Sequence, residues 1–473
     1  MVMHKKQAQN SRFKIPSPRY IESKKSLVGQ AGLQALLYVL DSTDLGLEFR
    51  KCFPPNGSNR SFGNYELGIL LLASLLCGHD SLDDIEEFDD DELLESLFGK
   101  RVPTAKTMGN LLRRFEEEHI AKLKGFLTIM GYTLRSHLSK VHPHKLENIP
   151  YFKIDGTVHE QKGRQMEGAG WIKMSRGDFK FGYASQTVFD EVGFCYAGEL
   201  CEAAHPTGHP SQLLGQVLSP LRGQKIENPF EKVAHVSGDS FYLSEEVIRC
   251  LQSHHTTFTI AAKDTINWKN DLETREWTAW DYAGEKPAKK KRKKFPECFV
   301  SRWLWSPGWS KGNLKFPVII KKEWRADEVF GQECGSYHYH TVATNLDLSQ
   351  VSYQSVIERY KPRADVENMI KEFKLGFDAK HLPCQKQSAN EVYLLFVLIA
   401  QNLIRWAALL ENPDKPHFSK KIRRKLINAP GQLLTGGRQL TLRVMKKFRK
   451  EVCGFLERWR SHSVTIPLYF STA

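Results

Sequence analysis

Apolar residues recur at three- and four-residue spacing through 31–47, 65–77, 91–97 and 106–115, so the first part of the chain reads as helical, with a break at Pro54, Pro55 and Gly57. The texture changes at Pro150. Tyr151-Phe152-Lys153-Ile154 is a short apolar run ending in Asp155, Gly156 and Thr157, and Val233-Ala234-His235-Val236 is another, ending in Ser237, Gly238 and Asp239. Residues 186–189 and 194–200 flank Asp190-Glu191-Val192-Gly193 as the arms of a hairpin. Residues 211–218 and 243–251 predict helices and 257–262 a further strand. Strands alternating with helices indicate an α/β sheet.

Residues 264–350 interrupt that alternation with aromatic and β-branched residues and turn signals such as Ser306-Pro307-Gly308, which predicts a β-rich insertion. Seven of the ten tryptophans fall there: Trp268, Trp277, Trp280, Trp303, Trp305, Trp309 and Trp324. Helical periodicity resumes at 355–375 and 390–410. The chain therefore divides into a helical N-terminal part (1–148), an α/β core in two pieces (149–263 and 351–410), the insertion (264–350) and a C-terminal region (411–473).

Charge sharpens this division. The 473 residues hold 68 Lys+Arg against 54 Asp+Glu, a formal +14. Residues 285–325 hold 13 against 3 and residues 411–461 hold 14 against 4, so each block nets +10 and the remainder sums to −6. The blocks contain the basic runs 289–294, 420–425 and 443–450. One such run alone suits a solvated loop or an import-like signal equally well; two favour a polyanion partner such as nucleic acid. Arg113 and Arg114, behind a helix that Thr104 caps, suit either DNA contact or the surface of an ordinary bundle. Eight of the ten residues 83–92 are acidic, a run better read as a solvated helix face than as a metal site.

Other function classes drop out. The nine cysteines include no C-x-x-C pair, which fits reduced thiols rather than a disulfide framework or a zinc ribbon. His205, His209, His338 and His340 form no H-E-x-x-H pattern, and no G-x-x-x-x-G-K-[ST] segment marks an ATP-driven engine. The apolar stretch 67–77 is half what a bilayer needs, and residues 1–10 lack an apolar signal core, so a soluble cytoplasmic protein without a membrane span is expected.

Three carboxylates stand apart. Asp155 and Asp239 each follow a short apolar strand, where the sheet holds a carboxylate firmly at an open edge, as a hard cation requires, although a lone strand-end Asp is more often a turn residue. The third, Glu367, lies among Tyr360, Arg363, Lys371 and Lys374. On an ideal helix these five fall within an arc of about 80°. A surface helix with i,i+4 ion pairs would look similar, and Pro362 starts a new helix that leaves Tyr360 at its margin.

Tyr360-x2-Arg363-x3-Glu367-x6-Lys374 resembles the Y-x2-R-x3-E-x6-K signature of insertion-sequence DDE transposases in the insertion sequence four superfamily. The signature lies downstream of Ile154-Asp155-Gly156-Thr157 and Ser237-Gly238-Asp239, with gaps of 84 residues between the aspartates and 128 from Asp239 to Glu367. The helical start and Asn428-Ala429-Pro430-Gly431 look most like its thirteen-eighty group. The resemblance implies a ribonuclease-H-like catalytic core interrupted by the β-rich insertion, with a helical DNA-end-binding N-terminal domain and a helical, basic C-terminal region. It further implies that Asp155, Asp239 and Glu367 hold two Mg²⁺ ions, with Mn²⁺ able to substitute, for in-line displacement at a phosphodiester.

By the same resemblance Arg363, Lys371 and Lys374 hold phosphates beside the scissile bond, and Tyr360 contacts the DNA backbone. Relatives excise through a hairpin and use an insertion tryptophan to hold a flipped base, for which Trp303 and Trp305 are the candidates here. The expected activity is cut-and-paste transposition: a homodimer on paired ends binds terminal inverted repeats, cleaves them and joins them to target DNA, in a bacterial cytoplasm at the nucleoid. A domesticated or inactive DNA-binding protein, and a metal-dependent nuclease without strand transfer, are the alternatives.

Overall fold

Ten strands form one sheet, and its order explains where the carboxylates lie. In this computed structural model the described residues are 27–467 and 470, apart from 57–61, 90, 92, 95–101, 147–149, 175–176, 224–233, 264–265, 270–271, 283–296, 330–331 and 435–440. The basic run 289–294 lies outside the described residues.

The centre of the sheet is parallel. β2 (Tyr151–Glu160) pairs with β6 (His235–Gly238), and β6 with β7 (Thr257–Ala261). β4 (Phe179–Phe189) flanks β2 antiparallel, and its outer edge takes β3 (Gly170–Lys173) over one half and β5 (Cys195–Cys201) over the other. The β4–β5 hairpin turns at Asp190–Gly193, where the Asp190 carboxylate accepts the backbone N–H groups of Val192, Gly193 and Phe194.

On the other side the residues of the insertion continue the same sheet. β11 (Gln332–Thr344) pairs antiparallel with β7, followed by β10 (Phe316–Val329), β9 (Cys298–Trp305) and β8 (Thr278–Ala279). Seven strands in the order β4-β2-β6-β7-β11-β10-β9 thus run unbroken from core to insertion.

The N-terminal part is helical beyond a two-residue strand β1 (Leu27–Val28): α1 (Leu33–Asp41), α2 (Asp44–Lys51), α3 (Asn64–Cys77), α4 (Ala105–Leu112) and α5 (Glu117–Val141). Two shorter helices, α6 (Pro210–Leu218) and α7 (Glu245–Ser253), connect core strands. α8 (Tyr353–Tyr360) and α9 (Asp365–Gly376) follow β11, separated by a 3₁₀ turn over Lys361–Ala364. α10 (Gln387–Glu411) is apolar and long enough to cross a bilayer, yet 94% of its apolar window is buried inside the fold. Its polar residues are satisfied locally: the Asn402 amide bonds both backbone N–H and carbonyl of Cys195, at 2.7 and 2.8 Å. A burial-driven core helix explains this better than lipid.

The C-terminal region adds β12 (Gly431–Leu434), β13 (Thr441–Val444) and α11 (Lys446–Arg460). Its basic run does not all face outward. Arg423, at the start of a π turn over Arg423–Ile427, is 7% exposed and donates to the carbonyls of Leu75, Leu76 and Gly376. Those are last-turn carbonyls of α3 and α9, which have no partner within their own helices. Lys425 pairs with Glu411 and Glu451. Of the run 420–425, therefore, Arg423 and Lys425 serve the fold, while Lys420, Lys421 and Arg424 remain exposed. Arg114 likewise donates to Asn64 Oδ1 at 2.6 Å, within the N-terminal helices.

Arg423→Met keeps the apolar stem and strands the Leu76 and Gly376 carbonyls, while Leu75 keeps the Gly78 N–H. Unfolding in urea should show a loss of roughly 3 kcal/mol; a loss under about 1 kcal/mol would contradict the capping role.

Candidate active site

The register of the sheet sets two carboxylates side by side. Tyr151, Phe152 and Lys153 of β2 stand opposite His235, Val236 and Ser237 of β6. The same register carried two residues further places Asp239 beside Asp155, on strands about 4.8 Å apart. His235 locks the alignment from inside: fully buried, it bonds Thr257 and Thr259 through its two ring nitrogens and stacks on Tyr151 at 5.0 Å. Beyond Asp239 the chain enters a short 3₁₀ turn that the aspartate itself caps, accepting the Phe241 N–H at 2.9 Å. Tyr242 in that turn donates to Gln186 of β4, tying the turn back to the sheet.

Glu367 reaches the same place from the helix side. Asp365, in the first turn of α9, faces the buried Lys153 of β2 at 3.7 Å. Lys374, near the other end, donates to Thr157 Oγ1 at 3.1 Å and to the Val158 carbonyl at 2.7 Å. Burial lowers the affinity of both lysines for their protons; Asp365 partly restores it at Lys153, while at Lys374 the neighbouring Lys180 lowers it further and Glu160 opposes. In the turn just ahead of these anchors, the Arg363 guanidinium meets Asp155 at 2.9 Å, Glu367 at 3.6 Å and Asp239 at 3.8 Å. The three carboxylates grade outward: their side chains are 12%, 41% and 68% exposed for Asp155, Asp239 and Glu367.

Electrostatics follow the same gradient. Burial pushes the Asp155 carboxyl up to about 6; Arg363 opposes the shift and the neighbouring Asp239 and Glu367 add to it. One guanidinium thus leaves the centre short of positive charge. Among the described residues no three His, Cys, Asp or Glu side chains stand close enough to share an ion directly. The trio shares Arg363. As a donor set, three carboxylates from mid-β2, the end of β6 and a helix suit a hard divalent cation such as Mg²⁺, and the positive charge still wanted at Asp155 agrees with that fit.

The five residues Tyr360 to Lys374 do not share one arc. The 3₁₀ turn at Pro362 breaks the helix, and Tyr360 ends α8 with its ring only 9% exposed, packed among Trp280, Val300, Val356 and Ile357 and against His340 at 5.1 Å. Lys371 is exposed, while Lys374 is half-buried and occupied with β2. Trp303 and Trp305 are half-buried against the main core, and the Trp305 ring lies 6.1 Å from Phe316. Trp324, 39% exposed, is the more open insertion tryptophan. Lys153 was missed from sequence, although a lysine inside an otherwise apolar strand run was its visible signal.

The family described as Transposase DDE domain group 1 matches residues 23–452, a span that contains all three carboxylates. No curated protein matches the chain.

A carboxyl whose folded value is raised binds more protons folded than unfolded between about pH 4 and 6, so its contribution to stability falls as pH rises through that window. Asp155→Asn removes the effect. In metal-free protein the variant should match wild type near pH 4 and exceed it by on the order of 2 kcal/mol above pH 6. Parallel stability–pH curves would refute the assignment.

Proposed function

Since the chain belongs to the DDE transposase family, we propose that it is a transposase that binds the terminal inverted repeats of its element, cleaves the ends and joins them to target DNA. The observation that carries this reading is the convergence of Asp155, Asp239 and Glu367, in that chain order, within 3.8 Å of one guanidinium. In this reading these three are the catalytic residues and hold two Mg²⁺ ions, with Mn²⁺ able to substitute. Bound there, the metal pair supplies activation of a water or 3′-hydroxyl and stabilisation of the leaving oxygen.

The chain's own groups do the positioning. Sheet register fixes the two aspartates, so the separation they present to a phosphodiester is set before DNA arrives. The Lys153–Asp365 and Lys374–Thr157 contacts fix the height of α9, and with it Glu367. Arg363 and the exposed Lys371 offer positive charge to the phosphates on either side of the scissile bond. Lys374 acts mainly through the helix it pins, and Tyr360 through the wall it builds behind Arg363. The exposed cations Lys420, Lys421 and Arg424 extend the same field toward the DNA flank. A pair of element ends would bring two copies of the chain together.

Glu367→Gln keeps size and hydrogen bonding at the most exposed of the three positions. Incubated with Mg²⁺ and a labelled element end, it should lose cleavage by at least about a hundredfold while end affinity stays within about threefold. Full activity would sink the assignment. Strand-transfer product from wild type separates a transposase from a nuclease that only cuts.

A further inference from the structure

Resting on that reading, a second DNA contact can be located on the same sheet. Cross-strand partners share a face. β3 pairs Trp171 with Phe181 and Lys173 with Phe179, so these four stand together on one side of the β3–β4 ribbon. The opposite side is already filled: Ile172, Val158, Ala184 and Cys201 form a separate apolar cluster there. Among the described residues the aromatic side is open. Trp171 is 62% exposed and Phe179 59%, and the Trp171 ring stands edge-on to Phe181 at 5.6 Å. Two such side chains held open beside a lysine serve no packing purpose on this edge.

Register also identifies which face this is. β4 places Thr187 opposite Asp155, Ser185 opposite Thr157 and Tyr183 opposite His159; Phe181 is the next position of that series. The aromatic side therefore continues the face from which Asp155 projects. Along that face, Lys374 lies over Thr157, the Ala379 carbonyl meets His159, and then the surface opens into a cavity of about 660 Å³ between residues 161–166 and 381–385. Lys162 and Arg164 on its wall are exposed, and His381 bonds the Glu160 carbonyl at its floor. Gln161 of the cavity wall donates its backbone N–H to the Phe181 carbonyl, so cations and open aromatic rings follow one another along the sheet and match what a nucleic-acid strand offers, phosphates at a regular interval and a flat base.

We propose that this face takes the DNA strand running on from the scissile phosphate, with its phosphates against Lys162 and Arg164 and a base stacked on Trp171. Phe181 lies six residues along β4 from Thr187, about 20 Å at roughly 3.3 Å per residue. Nucleotides spaced about 3.4 Å apart put the stacked base about six positions from the cut.

The test uses full-length protein and labelled element ends trimmed on the flanking side. With a flank of about ten nucleotides, Trp171→Ala should weaken binding about tenfold, while Trp171→Phe should restore most of it. With a flank of about four nucleotides both variants should bind like wild type. Lys162→Gln with Arg164→Gln should reduce the slope of log affinity against log salt by about two on the long flank. An unchanged melting temperature, expected for exposed positions, separates lost contact from lost folding. Equal binding of Trp171→Ala and wild type on the long flank, or a loss that persists on the short one, overturns the proposal. Wild type that binds and cuts ends while Trp171→Ala does so equally well sinks this inference alone. Wild type that binds no end DNA sinks the underlying reading and this inference together.

Discussion

Three carboxylates drawn to one point repel one another, and the chain meets this with a single guanidinium. Arg363 sits one helical turn before Glu367 and reaches across to the two aspartates of the sheet. It joins both strands to the helix at the centre, and it leaves the most buried of the three, Asp155, still reluctant to ionise. A centre balanced that way favours any further positive charge brought to it. The same deficit that costs stability in the isolated protein is what would draw in a divalent cation.

Geometry around that centre is redundant at the helix and singular at the sheet. α9 is held by Lys153 at its start, by Lys374 in its last turn, and by Arg423 at its last carbonyl, while Glu372 accepts the Ser419 N–H of the segment that follows α10. The aspartates depend chiefly on strand register, and a one-residue slip between β2 and β6 would turn one of the two carboxylates to the opposite face from the other. The buried His235 bonds across to β7 and so protects that register from within.

The strand end at Asp239 was legible because an apolar run closed by Gly and Asp has few structural solutions, whereas Asp155, expected at a strand end, lies in mid-strand because β2 runs on to Glu160. The spacing of Arg363 and Glu367 was legible for the same local reason, one helical turn. What escaped was whatever depends on tertiary packing. A helical wheel assumes an unbroken helix, but Pro362 inserts a 3₁₀ turn, and Tyr360 ends up inside a wall. Charge counting treats every cation as solvent-facing, so Arg423 was grouped with a DNA-gripping run when its guanidinium is spent on helix ends. Composition predicted the strands of the insertion without indicating that they would join the core sheet through β7. The half-buried Trp303 and Trp305 could not be told from the exposed Trp171 by aromatic content alone, since exposure belongs to the fold.

The capping role of Arg423 bears on how such sequences are read in bulk. Fifty residues follow it to the end of the chain, and the carboxylates all lie well upstream. A frameshift or stop codon between positions 375 and 422 would leave every signature residue untouched, yet remove the donor that closes α3 and α9 and expose the faces it joins. In a genome carrying many copies of an element, a search for the three acids would count that truncated gene among the living. Its product would carry an intact signature on an unsupported helix, and reading frames that run past the arginine are the better census.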